Sequence, residues 1–123
     1  MDPEKTVRAF CDAFARRDAK ELLGFLAPDC VYHNIPLAPL TGHAAIEPML
    51  AQFLAPCTRV EFEMKALAVD GRVVLTERVD RFWLANGKTI ELPVMGTFEV
   101  GRDGKITAWR DYFDLAQWTK QMA

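Results

Sequence analysis

No apolar run in the sequence approaches the ~20 residues that a transmembrane helix needs. The first residues, MDPEK, lack the basic-then-apolar order of a secretory signal peptide. Internal repeats, linkers and low-complexity segments are also missing, so we expect residues 1–123 to form a single domain. Together these absences predict a cytoplasmic protein that makes no contact with a membrane.

Charge of one sign is not concentrated anywhere in the chain. The 15 Lys and Arg residues are scattered among 17 Asp and Glu residues, and the lack of a basic stripe argues against nucleic acid as a partner. Cysteine is scarce, and the spacing of Cys11, Cys30 and Cys57 matches no metal site and no redox motif. Each cysteine lies among apolar residues, which favours buried thiols over a disulfide. We therefore predict neither a metal nor a cofactor.

Helical spacing of apolar residues dominates the first part of the chain, whose overall composition is that of a globular protein. One helix is predicted over residues 3–17, and Asp18 can cap a second one that runs through Leu26 and is closed by Pro28. A short strand over residues 30–34 follows. A third helix is predicted from Thr41 or Gly42 to Pro56, after a proline-rich loop. The apolar stripe of the first helix is Val7, Phe10, Cys11 and Phe14, and that of the third is Ile46, Met49, Leu50, Phe53 and Leu54.

Beyond Pro56 the apolar period changes to two, which predicts strands. Asp-Gly and Asn-Gly turn signals separate them, and Asp114 can cap a final short helix. The predicted strands are residues 59–69, 73–83, 89–100 and 105–113. Val60, Phe62, Met64, Ala66 and Ala68 share a face of the first of these, and Thr107, Trp109, Asp111 and Phe113 share a face of the last.

A long antiparallel sheet curls because sheets twist, and its apolar side must be covered by other elements. The N-terminal helices are the available cover. We therefore predict an α+β fold in which a curved, mostly antiparallel sheet wraps around the N-terminal helices as a cone, with an apolar pocket at the open end.

The strand at residues 73–83 is ambiguous, because both of its faces carry apolar and charged groups. Arg78 and Asp80 lie on one face with three other residues, Val74, Thr76 and Phe82. The other face consists of Leu75, Glu77, Val79, Arg81 and Trp83. If the first face is buried, a charged pair occupies a place where charge is expensive. This strand alone does not decide between the two orientations.

Polar groups occur on otherwise apolar faces of three predicted strands: Tyr32 and Asn34, Arg78 and Asp80, and Asp111. Two carboxyl groups bridged by a guanidinium make an acid–base device, because one carboxyl can stay protonated while the other is ionised. Simpler interpretations remain open at this point. Arg78 and Asp80 could be a solvated surface pair, Asp111 could be exposed, and Tyr32 and Asn34 could merely satisfy backbone groups.

These polar segments resemble the limonene-1,2-epoxide hydrolases, a family with a nuclear-transport-factor-like cone fold. The resemblance covers most of the chain and is carried by four segments: residues 32–36 (YHNIP), 78–80 (RVD), 96–98 (GTF) and 104–114 (GKITAWRDYFD). It implies a hydrolase that opens an apolar, terpene-like or cyclic epoxide with water in one step, without a covalent intermediate, a metal or a cofactor. It further implies that Asp111 is the general base, Asp80 the general acid and Arg78 the bridge between them. Tyr32 and Asn34 would hold the attacking water.

The pocket wall would select the substrate. Strand parity places Phe82, Leu92, Val94 and Phe113 towards it, and helix stripes add Phe14 and Phe53. Cys11 and Cys57 are further candidates. Cone folds of this kind also host ketosteroid isomerases and polyketide cyclases, and a non-catalytic ligand-binding domain is a third interpretation.

The outer face of the strand at residues 73–83 carries Leu75, Val79 and Trp83, a candidate apolar patch. Exposed patches of this kind usually mark a partner surface. A homodimer through the sheet is the simplest prediction.

Overall fold

Three α-helices lie in the first half of the computed structural model, which describes residues 2–123. Helix α1 spans Pro3–Ala13 and continues as a 3₁₀ turn over Phe14–Arg16, α2 spans Ala19–Leu23, and α3 spans His43–Leu54. The carboxylates of Asp2 and Asp18 accept hydrogen bonds from the first backbone N–H groups of α1 and α2, as N-caps do. The predicted cap at Asp18 is thus confirmed.

Within residues 2–123, six strands form one sheet: β1 Leu26–Asn34, β2 Leu40–Thr41, β3 Cys57–Asp70, β4 Val73–Leu84, β5 Thr89–Val100 and β6 Ile106–Tyr112. Their order across the sheet is β2-β1-β6-β5-β4-β3. All neighbours are antiparallel except β1 and β6, which run parallel. Helix α4, Leu115–Met122, follows, with Asp114 as its N-cap. The predicted α+β class, with a curved and mostly antiparallel sheet around N-terminal helices, is confirmed.

The second predicted helix is too long, because β1 begins at Leu26 and not at residue 30. Pro28 therefore lies inside a strand and does not end a helix. It falls where the pairing of β1 with β6 shifts register, between Leu26 and Val31. A proline without an N–H is tolerated at such an irregularity.

Two bulges change which residues face inwards. The register of β3 against β4 shifts between Met64 and Ala66, so Ala66 pairs with Glu77 on the outer face. The predicted inward position of Ala66 and Ala68 is therefore wrong. A second shift, between β5 and β6, turns Thr107 outwards, and its hydroxyl donates to the carbonyl of Glu99 at 3.2 Å.

An aromatic cluster joins α1 to the sheet. The ring of Phe10 is fully buried, and its centroid lies 4.9 Å from that of Trp109 and 5.2 Å from that of Phe14, both in edge-to-face arrangements. Phe98 completes the cluster from β5 at 6.1 Å. Such pairs add to the free energy gained from burial itself. This packing fixes α1 over the part of the sheet where β5 and β6 meet.

Helix α4 packs against the opposite end of the concave face. The ring of Trp118 stacks on that of Phe53, with centroids 5.6 Å apart, and meets Phe82 edge-on at the same distance. The side-chain amide of Gln121 pairs with the backbone of Glu91, donating to its carbonyl and accepting from its N–H, each at 2.8 Å.

Among residues 2–123, no helix has both the length and the apolar character to cross a membrane.

Candidate active site

Strand β4 turns the face that carries Arg78 and Asp80 into the cone. Arg78 is only 1% exposed and Asp80 4% exposed, whereas Leu75 on the opposite face is 44% exposed. The alternative in which Arg78 and Asp80 form a solvated surface pair is therefore wrong. A buried guanidinium needs partners for its N–H groups, so its contacts define the site.

All three guanidinium nitrogens of Arg78 donate hydrogen bonds. Nε donates to Asp80 Oδ1 at 3.0 Å, and Nη2 donates to Asp80 Oδ2 at 2.9 Å. Nη2 also donates to Asp111 Oδ2 at 3.1 Å, and Nη1 donates to Thr76 Oγ1 at 3.1 Å. Arg78 thus bridges two carboxyl groups from different strands, and the bidentate pair with Asp80 fixes its plane.

Gly96 makes this bridge possible. It lies on β5 directly between Thr76 on β4 and Asp111 on β6. A Cβ atom there would overlap Arg78 Nη1 and lie 2.7 Å from Asp111 Oδ1. The missing side chain therefore leaves the slot through which Arg78 reaches across β5 to Asp111.

Tyr32 and Asn34 come to the same site through the parallel pairing of β1 with β6. Tyr32 pairs with Trp109 and stacks on its ring at 3.7 Å, and Asn34 pairs with Asp111. The Tyr32 hydroxyl donates to Asn34 Oδ1 at 3.1 Å. Because that oxygen accepts, the Asn34 amide keeps its N–H donors for a molecule in the cavity.

One oxygen of Asp111 is a buried acceptor in need of a donor. Oδ2 accepts from Arg78, but Oδ1 accepts from no residue within 2–123. The indole N–H of Trp109 on the same strand likewise has no acceptor there. The Asp111 oxygen without a donor lies beside the slot at Gly96, because a Cβ atom on Gly96 would be 2.7 Å from it.

Burial, with a smaller contribution from the charge of Asp111, raises the pKa of Asp80 to about 6 against the opposing charge and hydrogen bonds of Arg78. Burial acts to lower the pKa of Arg78, but the charges of Asp111 and Asp80 raise it well above its ordinary value. Burial also raises the pKa of Tyr32, and it raises that of the Cys11 thiol to about 12. Asp80 therefore loses its proton only near pH 6, while Arg78 stays charged.

A cavity of about 300 Å³ opens in front of the two carboxyl groups. Tyr32, Asn34, Asp80 and Asp111 line it, whereas Arg78 does not and lies behind the acids. All six residues predicted for its wall line it: Phe14, Phe53, Phe82, Leu92, Val94 and Phe113. Cys11 and Cys57 do not line the cavity, so the prediction that they belong to its wall is wrong.

Several wall residues escaped the sequence reasoning: Leu37, Met49, Leu50, Gln52, Phe62, Trp109, Leu115 and Trp118. Phe62 could have been found, because it alternates with charged residues on β3. Met49 and Leu50 could also have been found from the apolar stripe of α3. Leu115 and Trp118 belong to α4, whose docking position is not indicated by the sequence around it.

Within residues 2–123, no group of His, Cys, Asp or Glu side chains is arranged to hold a metal ion.

Comparison with known proteins gives consistent matches. The family model of the limonene-1,2-epoxide hydrolase catalytic domain matches residues 1–123. Epoxide hydrolase EphG of Mycobacterium tuberculosis is 36% identical over 111 residues, which cover 89% of this chain and 71% of that protein. The structure of an LEH-like epoxide hydrolase of M. tuberculosis has a TM-score of 0.77 and 34% identity, over 95% of this chain and 86% of that one. A candidate polyketide cyclase of Xanthomonas campestris pv. campestris has a TM-score of 0.84 and 28% identity, over 98% and 96%.

The slot at Gly96 predicts a strong effect of the smallest possible side chain. We expect Gly96→Ala to lower the free energy of unfolding by about 1–3 kcal/mol, because the new methyl group displaces the Arg78 guanidinium. Chemical denaturation measures the change. Thr97→Ala, on the outer face of the same strand, is the matched control and should change stability far less. Equal stability of Gly96→Ala and the unaltered protein would contradict the close packing of the site.

Proposed function

The chain belongs to the limonene-1,2-epoxide hydrolase family, and from this we propose that it adds water to an apolar cyclic epoxide and releases a vicinal diol. The observation that carries the proposal is the buried Asp80–Arg78–Asp111 bridge beside an apolar cavity. Two carboxyl groups on one cavity can supply a base and an acid to the same substrate.

Asp111 is the general base. Its carboxylate lines the cavity and accepts a hydrogen bond from the attacking water. Asn34 and Tyr32 hold the same water, and both line the cavity. As the water oxygen bonds to an epoxide carbon, its proton passes to Asp111.

Asp80 is the general acid. Its pKa of about 6 lets the carboxyl group hold a proton in weakly acidic solution, and each carboxyl oxygen retains a lone pair beyond the one that Arg78 occupies. The carbon–oxygen bond of the epoxide breaks as Asp80 gives its proton to the leaving oxygen. The product is a neutral diol, and a proton must return from Asp111 to Asp80 before the next turnover.

The cavity wall supports an apolar substrate. Its lining is mostly aliphatic and aromatic, and its polar members are Tyr32, Asn34, Gln52, Asp80 and Asp111. Such a wall binds a hydrocarbon ring by burying it. The epoxide oxygen then lies at Asp80 and Asp111, the charged residues of the described lining. Substrate size is limited by the volume of about 300 Å³.

A second candidate function is a cyclase of the same fold, which the 28% identity to a candidate polyketide cyclase favours. Such an enzyme would also use cavity carboxyl groups, but on an enolisable carbonyl compound. A ketosteroid-isomerase-like reaction or a non-catalytic binding domain are further alternatives. Absence of a diol from every epoxide supplied would move the assignment to one of these.

We also propose that two copies associate through the outer face of the sheet. Leu75, Met95 and Tyr112 are 44%, 52% and 48% exposed on adjacent strands of that face. Trp83, which was predicted to belong to the patch, is half-buried beneath the guanidinium of Arg59, 4.4 Å from its ring. A monomeric mass in solution at micromolar concentration would contradict the dimer.

A single turnover with a cyclic terpene epoxide in ¹⁸O-labelled water tests the one-step reaction. Direct attack by water predicts that the diol carries the heavy oxygen in the first turnover, with enzyme in excess over substrate. Mass spectrometry of the diol measures the label. Label that enters the diol only after repeated turnovers would indicate a covalent ester on an aspartate and would refute the mechanism.

Removing either carboxyl group should abolish hydrolysis. We expect Asp80→Asn and Asp111→Asn each to lower kcat by at least about 10³-fold, because proton donation or abstraction is lost. Circular dichroism checks that the fold survives. Glu91→Gln is the control, since its carboxylate pairs with Arg81 on the outer face. Full activity of one of the two site variants would remove that residue from the mechanism.

The pH dependence follows from the raised pKa of Asp80. Because the acid must be protonated, we expect kcat/KM to fall as the pH rises through about 6. The folded state also holds this proton more tightly than the unfolded state, so the stabilisation present below pH 3.8 is lost as the pH rises to about 6. The difference in unfolding free energy between the unaltered protein and Asp80→Asn should decline over the same interval. A constant kcat/KM up to pH 8 would contradict the role of Asp80 as the acid.

A further inference from the structure

We propose that Thr76 is a positioning residue that sets the orientation of Arg78 and, through it, the geometry of the two acids. Thr76 lies two residues before Arg78 on the inner face of β4 and is 1% exposed. It does not line the cavity. The inference rests on the proposed function only for its kinetic consequences.

Thr76 accepts the hydrogen bond on the edge of the guanidinium that the two aspartates leave free. The edge formed by Nε and Nη2 binds carboxylates, whereas Nη1 on the other edge donates to Thr76 Oγ1 at 3.1 Å. Arginine has no acceptor atom, so the Thr76 oxygen can only accept from it. Thr76 therefore holds the side of Arg78 that faces away from Asp80.

The Thr76 hydroxyl is itself fixed by the sheet. It donates its proton to the carbonyl oxygen of Gly96 at 3.1 Å, and Gly96 is its register partner on β5. This bond uses the hydroxyl proton and leaves the oxygen lone pairs free to accept the N–H of Arg78 Nη1. Threonine is also stiff at χ1, because it branches at Cβ. A backbone carbonyl of a central strand thus anchors the guanidinium through one hydroxyl group.

The consequence concerns the sharing of Nη2 between two carboxylates. Its bonds of 2.9 Å to Asp80 and 3.1 Å to Asp111 require one particular rotation of the guanidinium. With Nη1 released, the group can follow Asp80 alone, and its contact with Asp111 lengthens. Arg78 then stabilises the ionised forms of the two acids less evenly, although both acids and the cavity wall remain unchanged.

Thr76→Val tests this role, because valine keeps the branched shape and removes the hydroxyl. Loss of a hydrogen bond to a charged group predicts a fall in kcat of about 10-fold to 100-fold, with KM within about twofold of its original value. Thr97→Val, on the outer face of β5, should leave both constants unchanged. A Thr76→Val enzyme with unaltered kcat would overturn the proposal.

Serine and alanine at the same position provide a second comparison. Thr76→Ser keeps the hydroxyl and Thr76→Ala does not, while their side chains differ little in size. We expect Ser to retain kcat within about threefold and Ala to lose as much as Val. If Val fails to fold, this pair decides alone, and equal activity of Ser and Ala would reject the hydroxyl's role.

Carboxyl ¹³C NMR titration gives a readout that needs no substrate. The titratable and charged groups around Asp80 are Arg78 on β4, Asp111 on β6, Tyr32 on β1 and Cys11 on α1. Burial keeps Tyr32 and Cys11 neutral in the relevant range, so the titration reports on the acids and Arg78. Because the released guanidinium follows Asp80 alone, we expect a lower midpoint for Asp80 in Thr76→Val than in the unaltered protein. Unchanged midpoints would refute the positioning role even if no epoxide is hydrolysed, whereas a shift without any hydrolysis would refute the proposed reaction alone.

Discussion

The structure depends on one buried cation. A guanidinium with 1% exposure is tolerable only if its charge is compensated and its N–H groups are bonded, since breaking such a pair leaves an unpaired charge in the interior. Asp80 and Asp111 supply the compensation from two strands, and Thr76 supplies the remaining bond. The faces of Phe62 and Phe98, 5.0 and 5.9 Å from the guanidinium carbon, add a favourable electrostatic contact. The register of β4, β5 and β6 must therefore be exact, because a shift of one residue in one strand would turn its groups to the opposite face.

Much of this arrangement was predictable because alternation along a strand is a local property. The strand signal at residues 73–83, with Asp111 and Tyr32 on similarly mixed strands, predicted inner faces whose polar groups meet at one cavity, and the six residues predicted for the wall line that cavity. The roles of these residues in the reaction stay predictions. The bulge near Lys65 was missed, because one extra residue in a strand leaves the apolar period on each side intact. The inward position of Ala66 was wrong for that reason alone.

The remaining part of the site could not be predicted because it depends on tertiary docking. Helix α4 has no buried residue of its own, so its sequence signals an amphipathic helix but not the surface that it covers. Its position comes from Trp118 against Phe53 and from the pairing of Gln121 with the backbone of Glu91. Likewise, the slot at Gly96 is visible only once three strands are placed side by side, because a lone glycine in a strand has several explanations.

The parallel pairing of β1 with β6 has a consequence for how the protein folds. Asn34 and Asp111 are register partners, yet one lies in the first third of the chain and the other near its C-terminus. Until β6 pairs with β5, a sheet of β3, β4 and β5 carries Arg78 with Asp80 but without Asp111, so the cation on its inner face is incompletely neutralised. Pairings between distant segments also slow folding, because the loop must close before the contact is gained. The last strand thus completes the charge balance of the interior and the acid pair at the same moment, and the chain acquires its stable core and its reactive groups together.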